Sequence, residues 1–271
     1  MKLDPRKRLE ELKLSSEVDH HMSEYAPRLT STIAAVDADT IYVRGENLVD
    51  LIGRLSFTEM IFLLIRGRVP QEPEVRILDA CLVALVEHGL TPSALVARMT
   101  YSAAPDALQG AVAAGLLGVG STVAGSMVQC GAILSRLNAD GGAGSGQGRT
   151  VAEFVAASRR DGDPIPGLGH RLHRAGDPRV EPLLALAEEA HVAGRHIETL
   201  RLLAAEVERQ SGRHIPINVT GAIAAVLMDI GFEFPILRGF ALISRSAGLV
   251  AHIDEERKSP LTPNLKRIIE A

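Results

Sequence analysis

Residues 166–179 read Pro-Gly-Leu-Gly-His-Arg-Leu-His-Arg-Ala-Gly-Asp-Pro-Arg, and the interpretation of the whole chain turns on them. Gly167, Gly169 and Gly176 permit positive φ and a close backbone approach, so N–H groups can converge on an anion. Arg171, Arg174 and Arg179 supply forked donors for phosphate or carboxylate beside a helix start. Asp177-Pro178 reads as an N-cap followed by proline at the first helical position. A surface turn with solvated charges is the plain alternative, and spacing alone leaves both open.

Working outward, 271 residues suffice for one large domain or two modest ones. Apolar residues make up 46%, enough for a substantial core, and aromatics only 3%, with no Trp. That balance favours helices packed through Ala, Leu, Val and Ile over a β-sandwich. A formal net charge of −4 leaves no electrostatic footprint for nucleic acid. Cys81 and Cys130 sit in apolar helical runs and read as buried thiols in a reducing compartment. The charged start and the lack of a long uninterrupted apolar run point to a cytoplasmic protein without a membrane partner.

Residues 1–30 read as a polar arm, and residues 31–44 as short extended pieces. Ser56 and Glu59 form a capping box for a helix that Gly67 and Pro70 end. Further helices are expected over Glu74–His88, Pro105–Gly118, Met127–Leu137, Thr150–Arg160, Val180–Ala193, Arg195–Ser211, Pro216–Asp229 and Phe234–Leu249. Residues 139–149 are Gly/Ser-rich and read as a mobile linker. Arg98 reads as a helix-surface charge, and His191, His196 and His214 as exposed helical histidines. No metal site is expected.

The pattern Gly-Leu-Gly-His-Arg-x-x-Arg-x-x-Asp-Pro-Arg over 167–179 resembles the signature of the citrate synthase superfamily. Two further stretches carry the same resemblance: the Ser56–Pro70 helix, and Ser244-Arg245-x-x-Gly248-x-x-x-His252. Glu87-His88-Gly89 is similar to the start of a histidine loop in the family and in the citrate-cleaving module of ATP-citrate lyase. Together these matches span about residues 40–258. The resemblance implies an all-α, citrate synthase-like fold with large and small helical domains and a cleft between them. Residues 1–126 and 217–271 would form the large domain, and 127–216 the small, coenzyme A-contacting one. His170 and Thr220 stand at catalytic positions. His88, Arg179, Arg245 and Asn218 stand at substrate-binding positions. Gly167, Leu168, Gly169, Arg171 and Arg174 stand where the family touches coenzyme A. The implied partners are acyl-CoA and di- or tricarboxylate small molecules, with a homodimer or higher oligomer as the assembly. No bound cofactor is implied, since a coenzyme A thioester is substrate or ligand.

The chain departs from the family at its proton-handling positions. Asn218-Val219-Thr220 stands where the family reads Asn-Val-Asp, and the aspartate there is the general base. A threonine hydroxyl does not ionise near neutrality and offers only hydrogen bonds. Val123 stands where a family histidine polarises the thioester carbonyl, and Val96 where the histidine loop carries its second histidine. Three readings follow. One is a lyase for citryl-CoA or a related 3-hydroxyacyl-CoA. The second is a catalytically degenerate acyl-CoA-binding or regulatory homologue. The third is a helical scaffold without ligand, which leaves Arg245 and residues 166–179 unexplained.

Overall fold

The structure is a computed structural model that describes residues 31–121, 124–141, 147–169, 175–264 and 267. Two compact units divide the chain after Pro70.

In the first unit, strands β1 (Ala34–Val36), β2 (Ile41–Val43) and β3 (Glu46–Asn47) form an antiparallel meander. Asp37 makes the first turn, its Oδ1 accepting from the Asp39 and Thr40 amides. Arg44 and Gly45 make the second, both at positive φ (52° and 86°), as a two-residue hairpin whose twist matches its strands requires. Arg44 Nε then donates to Leu64 O at 2.9 Å, tying the hairpin to the helix that carries Leu64. Asn47 caps α1 (Leu48–Leu51). The expected capping box is present: Ser56 and Glu59 satisfy each other's amides at the start of α2 (Phe57–Arg66). Gly67, left-handed at φ 72°, ends that helix.

Helices build the second unit: α3 (Glu72–Val86), α4 (Pro92–Ala103), α5 (Leu108–Leu117), α6 (Gly125–Gly141), α7 (Gln147–Asp161), α8 (Val180–Glu189), α9 (Arg195–Ser211), α10 (Val219–Asp229) and α11 (Leu237–Lys258). A 3₁₀ turn, Phe234–Ile236, leads into α11. At the centre lies α10, whose residues from Ala222 to Leu227 are fully buried. Its sequence is apolar or small all round, so it has no face to offer water and must be covered on every side. Helices α6, α9, α8 and α3 cover it. With its preceding turn, α11 is long and apolar enough to cross a membrane by length and composition. Here Leu237, Phe240, Leu249 and Ile253 bury it against α3, α4, α5 and α6 as a core element.

Several expectations change. Helix α6 runs on to Gly141 and α7 starts at Gln147, so helix occupies much of the expected linker. Helix α8 starts at Val180 with Arg179 as its N-cap residue, two residues later than expected, while Asp177 Oδ1 accepts the Arg179 amide at 3.1 Å just ahead of it. Helix α11 continues past Leu249 because Gly248, Leu249 and Ile253 keep finding apolar or backbone surface. His196 is buried. Its Nδ1 lies 2.7 Å from Asp229 Oδ1, while Asp229 also accepts the Gly194, His196 and Ile197 amides. The last residue of α10 thus caps α9, satisfying amides a helix start leaves orphaned. Arg98 is 3% exposed and is no surface charge. Its Nε donates to Glu256 Oε2 at 2.6 Å, Nη1 to Glu255 Oε2 at 2.6 Å, and Nη2 to Ser259 O at 3.0 Å. Cys81 and Cys130 are buried free thiols, pushed up to about 12 by burial, so neither is a ready nucleophile.

Candidate functional site

Gly167–Gly169 is held against the start of α10. Asn218 N donates to Gly167 O at 3.0 Å, and Gly169 N to Pro216 O at 2.7 Å, so Leu168 bridges Ile217 in antiparallel fashion. Gly167 has φ 93°, and a Cβ there would stand 2.5 Å from Cys130 Sγ. A Cβ on Gly221 would stand 2.5 Å from Gly167 O. Both positions need glycine, one for its backbone angle and its contact, the other for contact alone. Neither contact has a flexible group that can yield fully. Gly221→Ala is therefore expected to cost about 1–3 kcal/mol, as overpacking does, read as a lower urea midpoint with unchanged slope.

Asn218 caps α10, its Oδ1 accepting the Gly221 amide at 3.1 Å and the Thr220 hydroxyl at 2.7 Å. Its Nδ2 donates to Gly169 O at 2.8 Å, next to His170 in the chain. Since Thr220 gives its proton to Asn218, the 3.0 Å contact with Ser126 Oγ has Ser126 donating. A directed chain therefore runs Ser126 to Thr220 to Asn218. It joins the first turn of α6 to the start of α10.

Arg179 meets Asp177 through two bonds, Nε to Oδ1 at 2.9 Å and Nη2 to Oδ2 at 2.8 Å, and Nη1 donates to Ala84 O at 3.3 Å. The remaining guanidinium donors are available to a ligand. Burial raises the Asp177 carboxyl. The Arg179 side chain and amide and the Val219 amide outweigh it and hold Asp177 at about 2, against an ordinary 3.8. Glu256 is likewise held at about 2: burial opposes, while the Leu261 amide, Arg98 and Thr262 prevail. Both carboxyls bind a proton more weakly folded than unfolded. Their stabilisation is therefore fully present above about pH 4.5 and is lost as pH falls towards 2, on the order of 2 kcal/mol for Asp177 and 3 kcal/mol for Glu256. Urea midpoints are expected to drop steeply between pH 4.5 and 2, and Asp177→Asn to flatten that drop.

Arg245, from the middle of α11, reaches the same cavity, with Nη1 3.4 Å from Glu87 Oε1. Burial lowers its guanidinium pKa and the Arg179 charge adds to that, while Glu87 opposes. Two guanidinium groups close enough to disfavour each other make a place where an anion is stabilised. The cavity has a volume of about 270 Å³. His88, Thr91, Ser93, Ser126, Thr220 and Asn218 provide its polar wall beside Arg179 and Arg245. Leu85, Val119, Ala124, Met127, Val219 and Ala241 complete it.

The structure thus brings together His88, Arg179, Asn218, Thr220 and Arg245, with Gly167, Leu168 and Gly169 joined to this wall through Asn218. His170, Arg171, Arg174 and Val123 lie outside the described residues. Val96 is exposed on α4 and is not part of the wall; Ser93 and the N-cap residue Thr91 face the cavity from that segment. Sequence reasoning missed Ser93 and Ser126, because lone serines in apolar runs carry no pattern. Asp177 reads from sequence as a helix cap; its carboxylate instead pairs with the Arg179 side chain two residues on, a local contact that a capping pattern does not announce. Among the described residues, no three His, Cys, Asp or Glu side chains converge to hold a metal ion.

Residues 70–269 match the family described as citrate synthase, C-terminal domain. The chain belongs to the citrate synthase family. Among solved structures, it is similar to citryl-CoA lyase from Hydrogenobacter thermophilus, at 34% identity and TM-score 0.79. That match covers 86% of this chain and 88% of the other. The ATP citrate lyase of Methanothrix soehngenii, solved with citrate and coenzyme A, shares the fold at TM-score 0.72 and 20% identity. It covers 95% of this chain and 42% of the lyase. Among curated relatives, the citrate synthase of Haloferax volcanii is 25% identical over 86% of this chain. This chain spans 60% of that relative's length. The all-α, citrate synthase-like fold expected from residues 167–179 is the one observed, and the family gives its cavity a chemical context.

Proposed function

We propose that this member of the citrate synthase family binds citryl-CoA or a related 3-hydroxyacyl-CoA and acts on it as a citryl-CoA lyase-type enzyme. The observation that carries this reading is the convergence of Arg179 and Arg245 in one cavity, each with donors to spare for a carboxylate. In cleavage, the substrate's tertiary hydroxyl gives up its proton and the adjacent C–C bond breaks. Its electron pair becomes a thioester enolate, which takes a proton at carbon to give acetyl-CoA beside oxaloacetate. His170 is the titratable group that the family pattern assigns to this chemistry, and His88 lines the cavity. Arg171, Arg174 and Gly167–Gly169 are assigned to coenzyme A. The cleft then lies between residues 127–216 and the rest of the helical body.

The test is purified full-length chain with citryl-CoA. Acetyl-CoA and oxaloacetate are expected in equal amounts above background, and their absence counts against the lyase. One observation favours a second reading, an acyl-CoA-binding homologue without turnover. The Thr220 hydroxyl is already committed to Asn218 and can pass no proton to an enolate. Thioester binding by calorimetry without product would select that reading.

We further infer a cytoplasmic homodimer or higher oligomer. Helix α5 is apolar or small except at Gln109, yet leaves Leu117 86% exposed, and Met99 on the neighbouring α4 is 48% exposed. A second copy is the occupant such a face suits. Light scattering is expected to give a multiple of the chain mass, and Leu117→Glu to reduce it to the monomer's.

A further inference from the structure

Glu87 follows α3, and its carboxylate meets three groups. Oε1 accepts the His88 amide at 2.7 Å and faces Arg245 Nη1 at 3.4 Å, while Oε2 lies 3.0 Å from His252 Nε2. Burial pushes the carboxyl up, but the His88 amide, His252 and Arg245 prevail and keep it below its ordinary range. Gly248 explains how α11 comes so near. A Cβ there would stand 2.2 Å from Val86 O and 2.9 Å from Glu87 Oε2. Arg245, Gly248 and His252 follow at helical spacing, so they share one face, and Glu87 lies across it. The contacts continue outward, with His252 Nδ1 3.7 Å from Glu255 Oε2, which accepts from Arg98.

Of the three contacts on Glu87, the one to Arg245 is the longest, and Arg245 is the partner that also lines the cavity. Anchored by the His88 amide, with the His252 ring within ion-pair distance though not aligned for a hydrogen bond, Glu87 can lose Arg245 without moving. A ligand carboxylate offers Arg245 the bidentate geometry that a 3.4 Å single contact lacks.

We propose that Glu87 is a positioning residue for Arg245. It holds the guanidinium ready in the ligand-free protein and releases it to an incoming carboxylate, remaining on His88 N–H and His252. The hand-over rests on the reading of the cavity as a carboxylate site; the clamp itself does not.

Phenylglyoxal labelling of the full chain, located by peptide mass spectrometry with and without citrate, separates the two. Without citrate, Glu87→Gln is expected to speed labelling at Arg245 about fivefold, as loss of a partly exposed ion pair does. Arg179, held by Asp177, stays unchanged. His252→Gln is expected to slow Arg245 labelling, since Arg245 is then the one cationic partner left to Glu87 beside the His88 amide. Citrate is expected to protect Arg245 in the wild type. Thermal melts close to wild type show that both variants fold. Arg245 labelling unmoved by Glu87→Gln, or an equal rise at Arg179, overturns the clamp. Arg245 that responds to Glu87→Gln without protection by citrate supports the clamp and overturns the carboxylate-site reading instead.

Discussion

Arg98→Met is expected to unfold with about 3–5 kcal/mol less free energy than the wild type, the cost of breaking a buried ion pair from one side. Arg98 is 3% exposed and its partner Glu256 has a side chain 1% exposed, so neither can turn to water without disturbing the packing. Glu256 would keep the Leu261 and Thr262 amides and the Thr262 hydroxyl but lose its counter-charge. Glu255, 60% exposed, loses little. The comparison that isolates the pair is Arg98→Met with Glu256→Met. Removing both charges is expected to recover a good part of the loss, since the uncompensated carboxylate is then gone. Urea unfolding of the two single variants and the double variant measures this directly. A double variant as unstable as the sum of the singles would show that the two side chains act independently.

The largest effect on activity is expected from Thr220→Asp combined with Val123→His, which restores the family's residues at both positions. Formation of citrate from acetyl-CoA and oxaloacetate, followed by release of coenzyme A thiol, should rise by about 10²-fold or more. Each positioned acid–base group is worth roughly 10²–10⁴. An aspartate at 220 keeps the bond from Ser126 and loses the one to Asn218 Oδ1, because both would be acceptors. That leaves its carboxylate with a free lone pair in the cavity, where a base has to act. Thr220→Asp alone should gain less. A folded double variant without any gain would mean that the cavity does not present a thioester to position 220.

Much of this site could be read along the chain because its chemistry is written in short segments. Gly167–Gly169 and Arg179 fall in one stretch, Asn218 and Thr220 in another, and Arg245, Gly248 and His252 in a third. Helix starts carried by local side-chain bonds could also be read, as at Ser56 and Glu59. Arg98 and His196 were misjudged for a common reason: their carboxylate partners lie 158 and 33 residues away, and no local pattern announces them.

By itself the amino-acid sequence determined the helical class, an apolar helix over 216–229 that the structure starts at Val219, the family pattern, and the absence of aspartate at position 220. These follow from periodicity and residue chemistry, which act over a turn or two of chain. Only the tertiary structure decided that Arg179 and Arg245 share a cavity, that Glu87 holds Arg245, and that Arg98 is a buried cation. Burial and electrostatic pairing depend on distances in space, and the packing of α3, α4, α8, α10 and α11 sets those distances.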